Sequence, residues 1–549
     1  MKTNFLKRLA ALCIALIMAL GMTMTVSADI SADATGTISV TGAEADVQVT
    51  AYRLMDVNYD TTANQPVDPV YSWVDEIADW VSDNYSSYIG ADNSVQEAFS
   101  AAKDTEIAAF YDALAAQIRS NNITLASSGT ATANADGNAN ITVPKMGNYL
   151  VLVENGLKVY SPSAVNLVPE WEDGQWVMST PAVVDLKSEE IGIEKSAEIA
   201  DDGDLTASIG DTVNYTVTAD VPGYPANTLA QNKIFNIYDT LQAGLTLEAG
   251  SFQVTGYVGG VEGTETNLTA RNTNNTYYTL TTNGARDLEN QNVSFSIVFD
   301  YDALKDGKGT RFDAVQVTYN ATVDADAQAF DSSTDTGNLG NTAKLSYGNN
   351  PYAENATYKN KTDEAKVYTY GVNILKVDAK EPNTFLPGAQ FTISANSEGT
   401  DPIKFVSISD GVYRKATAAE EATATETLTV GANTGRIGKL SLEGLDAGTY
   451  YLTETKAPDE YNKLGAPVEI TIADIEPNGI VNDGIEAADG TEAADGADGY
   501  TDVTVKNSQG FQLPTTGGIG TVIFTACGVL LMGLGAAVIA FVLMRRRRS

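Results

Sequence analysis

The sequence predicts a mainly β protein built from tandem immunoglobulin-like β-sandwiches, the first of which carries a helical insertion. Of its 549 residues 43% are apolar and 19% charged, which is typical of globular rather than disordered chains. From residue 188 to residue 508, short alternating runs rich in Thr, Tyr and Val are separated by Gly and Asn, a pattern typical of antiparallel sandwiches. Amphipathic helical spacing occurs over residues 73–118.

The composition excludes several classes of function. The chain has no histidine, so a Ser-His-Asp triad, a Cys-His pair and a His-ligated zinc site are all ruled out. The formal net charge of -37 disfavours nucleic acid, whose phosphates require clustered Lys and Arg. We therefore expect no metal, no cofactor and no conventional enzyme.

Residues 1–28 have the pattern of a secretory signal peptide. A basic start precedes an apolar run over residues 9–20, and small residues form a cleavage site at Val26, Ser27 and Ala28. The alternative is an uncleaved membrane anchor, which the shortness of the run disfavours.

Residues 29–187 are predicted to form a β-domain with a helical insertion. Alternation predicts strands over residues 38–41, 47–54, 149–154 and 159–168. Two helical faces lie between them, one with Trp73, Ile77, Trp80 and Val81, the other with Ile107, Phe110, Tyr111, Leu114 and Ile118. We interpret these aromatic residues as core.

Residues 188–370 and 371–508 are predicted to form the two further sandwiches. Their alternating runs include residues 212–218, 293–299, 372–377, 450–455, 468–472 and 503–505. Residues 479–500 are acidic and poor in large apolar side chains, so we expect a flexible loop within the last sandwich.

Residues 509–549 contain a short linker, a pentapeptide, an apolar stretch over residues 519–544 and four arginines. As a helix, the apolar stretch spans roughly 39 Å, enough to cross a bilayer. The pentapeptide consists of Leu513, Pro514, Thr515, Thr516 and Gly517. The arrangement resembles the LPxTG sorting signal of Gram-positive surface proteins, which a sortase cleaves between Thr and Gly before transferring the acylated threonine to an amine. The alternative is a plain C-terminal membrane anchor.

Processing at both ends would remove Cys13 and Cys527 and leave an extracellular chain without a thiol. Such a chain has no disulfides to stabilise its domains. The last sandwich offers another crosslink, because Lys376, the phrase over residues 448–458 with Glu454, and Asn507 resemble the B-type domains of collagen adhesins. The resemblance implies an isopeptide bond between Lys376 and Asn507, assisted by Glu454. The alternative is three ordinary surface or turn residues.

An isopeptide bond makes specific chemical demands. The lysine attacks only as a neutral amine, and the assisting carboxyl group must be protonated to donate to the amide, so both must be buried. The middle sandwich resembles the A-type variant, with Lys195 joined to Asn341 and Asp239 assisting. The first domain has no lysine in its first strands, so no such bond is expected there.

The whole plan resembles that of Gram-positive backbone pilins, in which a lysine in a Val-Tyr-Pro-Lys-Asn motif accepts the threonine of the next subunit. Here Lys187 has the right position after Trp176, but Asp185, Leu186 and Ser188 replace the motif's Tyr, Pro and Asn. The resemblance implies a head-to-tail fibre on the cell wall, with sortase, identical subunits and peptidoglycan as partners and minor pilins as further candidates.

Two other functions fit the sequence less well. A monomeric wall-anchored adhesin or minor pilin shares the sorting signal but needs no accepting lysine. An anchored hydrolase with paired carboxylates is the second, but no motif distinguishes a pair among the 71 acidic residues. Nothing in the sequence identifies a host ligand.

Overall fold

The computed structural model describes residues 35–172, 175–178, 181–199, 205–268, 277–331, 336–473 and 499–509, together with Leu531, Met532 and Leu534. Most of the regular structure in these residues is β-strand, arranged in sheets that pack face to face. The predicted mainly β fold is therefore confirmed.

Residues 35–189 form two main sheets that enclose a common core, with strand orders β11-β1-β5 and β3-β2-β6-β8, and two small two-stranded sheets, β9-β10 and β7-β12. The strands are β1 Gly36–Thr41, β2 Gln48–Asp60, β3 Gln65–Trp73, β4 Gly129–Thr132, β5 Ala139–Val143, β6 Gly147–Glu154, β7 Val159–Tyr160, β8 Ser163–Leu167, β9 Pro169–Glu172, β10 Gln175–Met178, β11 Ala182–Asp185 and β12 Ser188–Glu189. The first and the penultimate of these strands, β1 and β11, run parallel to each other.

The helical insertion lies between β3 and β4. It consists of α1 Asp75–Asn84, α2 Glu97–Ser100 and α3 Asp104–Arg119, with a 3-10 turn at Ser86–Tyr88. Apolar side chains three or four positions apart bury one face of α3, and Phe110 on that face packs against Trp73 with ring centroids 5.4 Å apart. Trp73 was expected on the first helix but ends β3 instead, because its alternating neighbours pair with β2.

Residues 193–367 form a second sandwich with strand orders β13-β14-β21-β17-β18 and β19-β20-β15-β22-β23. The strands are β13 Ile193–Ile199, β14 Thr212–Asp220, β15 Phe235–Leu241, β16 Leu245–Leu247, β17 Gln253–Val258, β18 Thr264–Leu268, β19 Tyr278–Thr281, β20 Phe295–Phe299, β21 Ala314–Val323, β22 Leu339–Tyr347 and β23 Lys359–Val367. Short 3-10 turns lie at Ala230–Asn232 and Tyr301–Ala303. Both sheets contribute buried side chains to one continuous core.

Residues 370–507 form a third sandwich with strand orders β26-β27-β29-β24-β32 and β28-β25-β30-β31. The strands are β24 Tyr370–Asp378, β25 Gln390–Ser394, β26 Phe405–Ser409, β27 Val412–Lys415, β28 Leu428–Thr429, β29 Lys439–Leu445, β30 Gly448–Lys456, β31 Val468–Ile472 and β32 Tyr500–Asn507. The first and last strands, β24 and β32, are parallel neighbours.

Polar contacts join successive sandwiches. Asp112 on α3 accepts hydrogen bonds from the backbone and side-chain nitrogens of Asn227, both at 3.0 Å, and from the hydroxyl of Tyr352. Between the second and third sandwiches, the backbone N–H of Ile209 donates to the carbonyl of Gly444 at 3.0 Å. The three sandwiches therefore contact one another directly.

Several sequence predictions lie outside the described residues: the signal peptide, the cleavage pentapeptide, most of the acidic loop over residues 479–500 and nearly all of the apolar stretch over residues 519–544. In the part of the chain that the structure describes, no helix has the length and apolarity needed to cross a membrane.

Candidate functional site

The third sandwich brings Lys376 and Asn507 together at one end of its parallel strand pair. In the register of β24 and β32, Lys376 lies opposite Val505 and Asp378 opposite Asn507, so the two side chains are two positions apart on neighbouring strands. Residues two apart in a strand share a face, and both of these face the core. The side chains of Lys376 and Asn507 are at most 1% exposed.

Glu454 approaches the same point from β30 in the opposite sheet. The side-chain amide nitrogen of Asn507 donates to both Oε1 and Oε2 of Glu454 at 3.0 Å. Lys376 Nζ donates to Asn507 Oδ1 and, at 3.3 Å, to the carbonyl of Val505, and it lies 3.6 Å from Glu454 Oε1. The structure therefore assembles all three residues that the sequence selected for this site.

A loop after β30, which sequence reasoning missed, orients the amide and the carboxyl group. The carbonyl of Asn462 accepts from Asn507 Nδ2 at 2.7 Å, and the N–H of Leu464 donates to Glu454 Oε2 at 2.7 Å. Pro458, which ends the phrase that identified Glu454, is typical of turns, but the backbone groups of Asn462 and Leu464 carry no residue-type signature.

The second site joins the two sheets of the middle sandwich. Lys195 lies on β13 in one sheet, while Asp239 on β15 and Asn341 on β22 belong to the other. Lys195 is 9% exposed, Asp239 1% and Asn341 0%. Lys195 Nζ donates to Asp239 Oδ2 at 2.5 Å. The structure thus brings the predicted lysine and aspartate into direct contact.

The electrostatics of this pair favour the uncharged forms. Burial raises the pKa of Asp239 to about 6, although Lys195 opposes the shift. Burial likewise lowers the pKa of Lys195 below its usual value, against the opposing effect of Asp239. A neutral amine beside a neutral carboxyl group is the state that attack on an amide requires.

Tyr319 on β21 is a further residue of the second site that sequence reasoning missed. Its hydroxyl accepts from Lys195 Nζ at 2.5 Å and from Asn341 Nδ2 at 2.8 Å, and donates to Asp239 Oδ2 at 2.8 Å. The hydroxyl of Tyr319 therefore lies between Lys195 and Asn341 and is hydrogen-bonded to both. No signal in the sequence marks this residue, because Tyr319 belongs to the same buried alternating series of β21 as Val315, Val317, Ala321 and Val323.

Lys187 lies between β11 and β12, and its side chain is exposed. The N–H of Ser161 donates to the carbonyl of Lys187 at 3.0 Å, which ties this part of the backbone to the first sandwich. Trp176, used to locate this lysine in the sequence, pairs with Trp171 across the hairpin of β9 and β10. The exposure that an accepting lysine requires is therefore present.

The parallel strand pair of the first domain has apolar residues where the third sandwich has its lysine. The core-facing positions of β1, which runs parallel to β11 as β24 does to β32, hold Ile38 and Val40. No group of three or more Cys, Asp and Glu side chains suited to a metal ion occurs among the residues that the structure describes.

Two segments match known families. Residues 371–483 match the family SpaA, described as a prealbumin-like fold domain, and residues 505–549 match the LPXTG cell wall anchor motif. The second match includes the predicted cleavage pentapeptide. A prealbumin-like domain is consistent with the sandwich that holds Lys376 and Glu454.

Similar proteins cover more of the chain. It is 26% identical over 385 residues to the trypsin-resistant surface T6 protein of Streptococcus pyogenes serotype M6, across 63% of this chain and 66% of that protein, slightly under two thirds of its length. The solved T6 backbone pilin of S. pyogenes serotype M6, described as a modular three-domain structure, has a TM-score of 0.58 at 17% identity, with 88% of this chain and all of that one covered. The major pilin SpaA of Corynebacterium diphtheriae has a TM-score of 0.46 at 16% identity, over 86% of this chain and 100% of that one.

The anchor motif and the similarity to the T6 proteins support the class of protein that the sequence indicated. The chain resembles the sortase-assembled backbone pilins of Gram-positive bacteria and carries the cell wall anchor of such surface proteins. Its expected location at the cell wall is likewise confirmed.

Proposed function

We propose that this protein is the structural backbone subunit of a covalently polymerised pilus. The proposal rests on one observation: the chain is similar along most of its length to a backbone pilin and carries an LPXTG anchor motif at its C-terminal end. The proposed division is a first domain over residues 29–187 and isopeptide sandwiches over residues 188–370 and 371–508. The chain turns over no substrate, because each of its bonds forms once.

The link between subunits is proposed to join Thr516 to Lys187 of the next subunit. Sortase cleaves the bond between Thr516 and Gly517, holds Thr516 as an acyl-enzyme and transfers it to the lysine amine. The exposed position of Lys187 between β11 and β12, at the end of the first sandwich, supports this role. Transfer of the last subunit to peptidoglycan would attach the fibre to the cell wall.

The internal links are proposed to join Lys376 to Asn507 and Lys195 to Asn341. In each, the neutral amine attacks the amide carbon, a C–N bond forms, and the side-chain nitrogen of the asparagine leaves as ammonia. The acid nearby, Glu454 or Asp239, carries the proton from the attacking nitrogen to the leaving one. Burial of all six side chains and the contacts of each acid with its lysine support the proposal.

Replacement of Lys187 tests the polymer most directly. With Lys187→Ala, denaturing electrophoresis of cell wall extracts should show wall-attached monomer and lose the ladder of higher species, because no amine accepts Thr516. Lys103→Ala, which removes another exposed lysine of the first domain, is the matched control and should keep the ladder.

Two outcomes would count against the proposal. A ladder that persists with Lys187→Ala would refute the assignment of this lysine. A single wall-attached band from the unaltered protein would instead favour the monomeric adhesin or minor pilin.

A further inference from the structure

The two proposed internal sites differ in how the acid meets the asparagine. Glu454 accepts hydrogen bonds directly from Asn507 Nδ2 at both carboxylate oxygens. Asp239, whose side chain is one methylene shorter, uses Oδ2 for Lys195 and Tyr319, and its Oδ1 makes no hydrogen bond in the part of the chain that the structure describes. The amide nitrogen of Asn341 donates to Tyr319 instead.

The ring of Tyr319 is fixed by aromatic neighbours on three other segments. It stacks on Tyr215 with centroids 5.4 Å apart, stacks on Phe252 at 5.4 Å and meets Phe295 edge-on at 4.8 Å. The residue is 1% exposed. Its hydroxyl is therefore held between the attacking nitrogen, the acid and the leaving nitrogen without competition from bulk water.

We propose that Tyr319 assists formation of the Lys195–Asn341 bond, its hydroxyl passing a proton from Asp239 to the departing nitrogen of Asn341. The inference rests on the proposed isopeptide bond and deepens it. Tyr319 is a catalytic group in this single-turnover step because it touches both reacting nitrogens.

Lys195 gives up two protons during this step, one of which ends on ammonia and the other on Asp239. Lys195 first gives a proton to Asp239, which leaves a neutral amine and a neutral carboxyl group. The amine attacks the amide carbon of Asn341, so the lone pair of the former amide nitrogen is no longer delocalised into the carbonyl and that nitrogen becomes basic. Tyr319 gives its proton to that nitrogen and takes the proton of Asp239. The original C–N bond of Asn341 then breaks as the carbonyl re-forms, and ammonia departs. Asp239 then recovers one proton from the new amide nitrogen and ends the step protonated.

The hydroxyl suits this exchange because it stays protonated throughout. Burial, and Asp239 beside it, raise the pKa of Tyr319 well above its usual value. Tyr319 therefore holds no negative charge of its own and only exchanges one proton for another.

The test uses Tyr319→Phe in the full chain, synthesised in a cell-free extract and sampled over time. Peptide mapping by mass spectrometry would follow the Lys195–Asn341 crosslink, with Lys376–Asn507 in the same molecule as an internal clock. We expect the first crosslink to form at least about tenfold more slowly, within the range by which positioned acid–base groups accelerate reactions, and the second to be unchanged.

Tyr347→Phe is the matched control. Tyr347 lies in the same core and on the same strand as Asn341, but its hydroxyl donates to the carbonyl of Leu157 at 2.5 Å, away from the site. It should form both crosslinks at the normal rate despite losing a buried hydrogen bond. Adding Asp239→Glu to Tyr319→Phe should restore the rate of crosslinking, because the longer acid reaches the amide as Glu454 does.

The outcomes distinguish failure of the proposed Lys195–Asn341 bond from failure of the proposed role of Tyr319. Absence of the Lys195–Asn341 crosslink in the unaltered chain would refute the proposed bond itself. Its formation at an equal rate with Tyr319→Phe would leave the proposed bond intact and overturn the role of Tyr319.

The solvent deuterium isotope effect on the rate of bond formation tests the relay in the unaltered protein. It should be larger for Lys195–Asn341 than for Lys376–Asn507, because one more proton moves. Equal effects would also overturn the relay.

Discussion

The environment of a lysine decides whether it is a charged surface group or a nucleophile. Lys344 also meets two carboxylates, Asp287 and Glu289, but its side chain is 21% exposed. Partial burial lowers the pKa of Lys344, yet the hydrogen bonds with both acids outweigh it and the net shift is upward. The hydrogen bond from Lys344 also lowers the pKa of Glu289 to about 2. That cluster remains an ion pair, whereas burial moves Lys195 and Asp239 toward neutrality.

This difference predicts a pH dependence for the bond at Lys195. The reactive pair shares one proton between Lys195 and Asp239, and the pKa of Asp239 is raised to about 6. Below that pH the pair holds two protons, so the neutral amine becomes scarcer and formation should slow by about tenfold per pH unit. Cell-free synthesis followed by folding in buffers from pH 4 to pH 8, with crosslink mapping, measures it. A rate that rises on acidification would contradict this assignment of the protons.

At the level of single residues, the sequence predicted those with a recognisable chemical type and spacing. Lys376 was predicted because it lies on the first strand of a domain that resembles the B-type domains of collagen adhesins, and Glu454 because a specific phrase surrounds it. Tyr319 was missed because a tyrosine in an inward-facing strand position is indistinguishable from core. Only the three-dimensional meeting of β13, β15, β21 and β22 reveals what its hydroxyl touches.

At the level of elements, the parallel pairing of first and last strands gives the third sandwich its crosslink position. Lys376 and Asn507 are 131 positions apart, so a bond between them closes nearly the whole sandwich. By the loop-entropy argument used for disulfides, whose mechanism is disputed, closing a loop of this size stabilises the fold by about 4–5 kcal/mol. An amide also resists reduction, which a disulfide does not.

Replacing Glu454 should prevent the Lys376–Asn507 bond while the third sandwich still folds. Glu454→Gln keeps the size of the side chain but cannot carry a proton, so the Lys376–Asn507 bond should not form. By intact mass, the mature variant should retain the ammonia that the unaltered protein loses at this bond. The third sandwich should melt at a temperature lower by roughly 10–20 °C in calorimetry. Glu469→Gln on the neighbouring β31, an exposed position, is the control and should change neither quantity. A Glu454→Gln variant that still loses this ammonia would refute the role of this acid.

Element boundaries show where sequence reasoning stops. The helix α3 was predicted because its apolar side chains repeat at helical spacing over four turns. Trp73 was wrongly assigned to a helix because its spacing to Ile77 also fits a helical face. The strand β3, which forms a long hairpin with β2, was not predicted because it contains Pro66 and Pro69. It lies at the edge of its sheet. Edge strands tolerate proline because one side of their backbone needs no partner.

At the level of the whole molecule, the proposed links define a short covalent path through each subunit. Tension entering at Lys187 would run along residues 188–195, cross to Asn341, continue through β22 and β23 to Lys376, and cross to Asn507 before reaching Thr516. Residues 196–340 and 377–506 lie outside that path, as does the first domain. A first domain with apolar residues at the core-facing positions of β1 is consistent with a part of the subunit that carries no load.

Force measurements on single fibres test this path. In unaltered fibres, pulling along the fibre axis should release no long segment from the second sandwich, because the Lys195–Asn341 bond must break first. With Asn341→Ala, which removes the electrophile but leaves Lys195 paired with Asp239, each subunit should show an additional step as residues 196–340 extend. At 3.3–3.6 Å per residue this step is about 50 nm. Lys103→Ala fibres should behave like unaltered ones, and an equal step in unaltered fibres would show that no covalent bond bridges the sandwich.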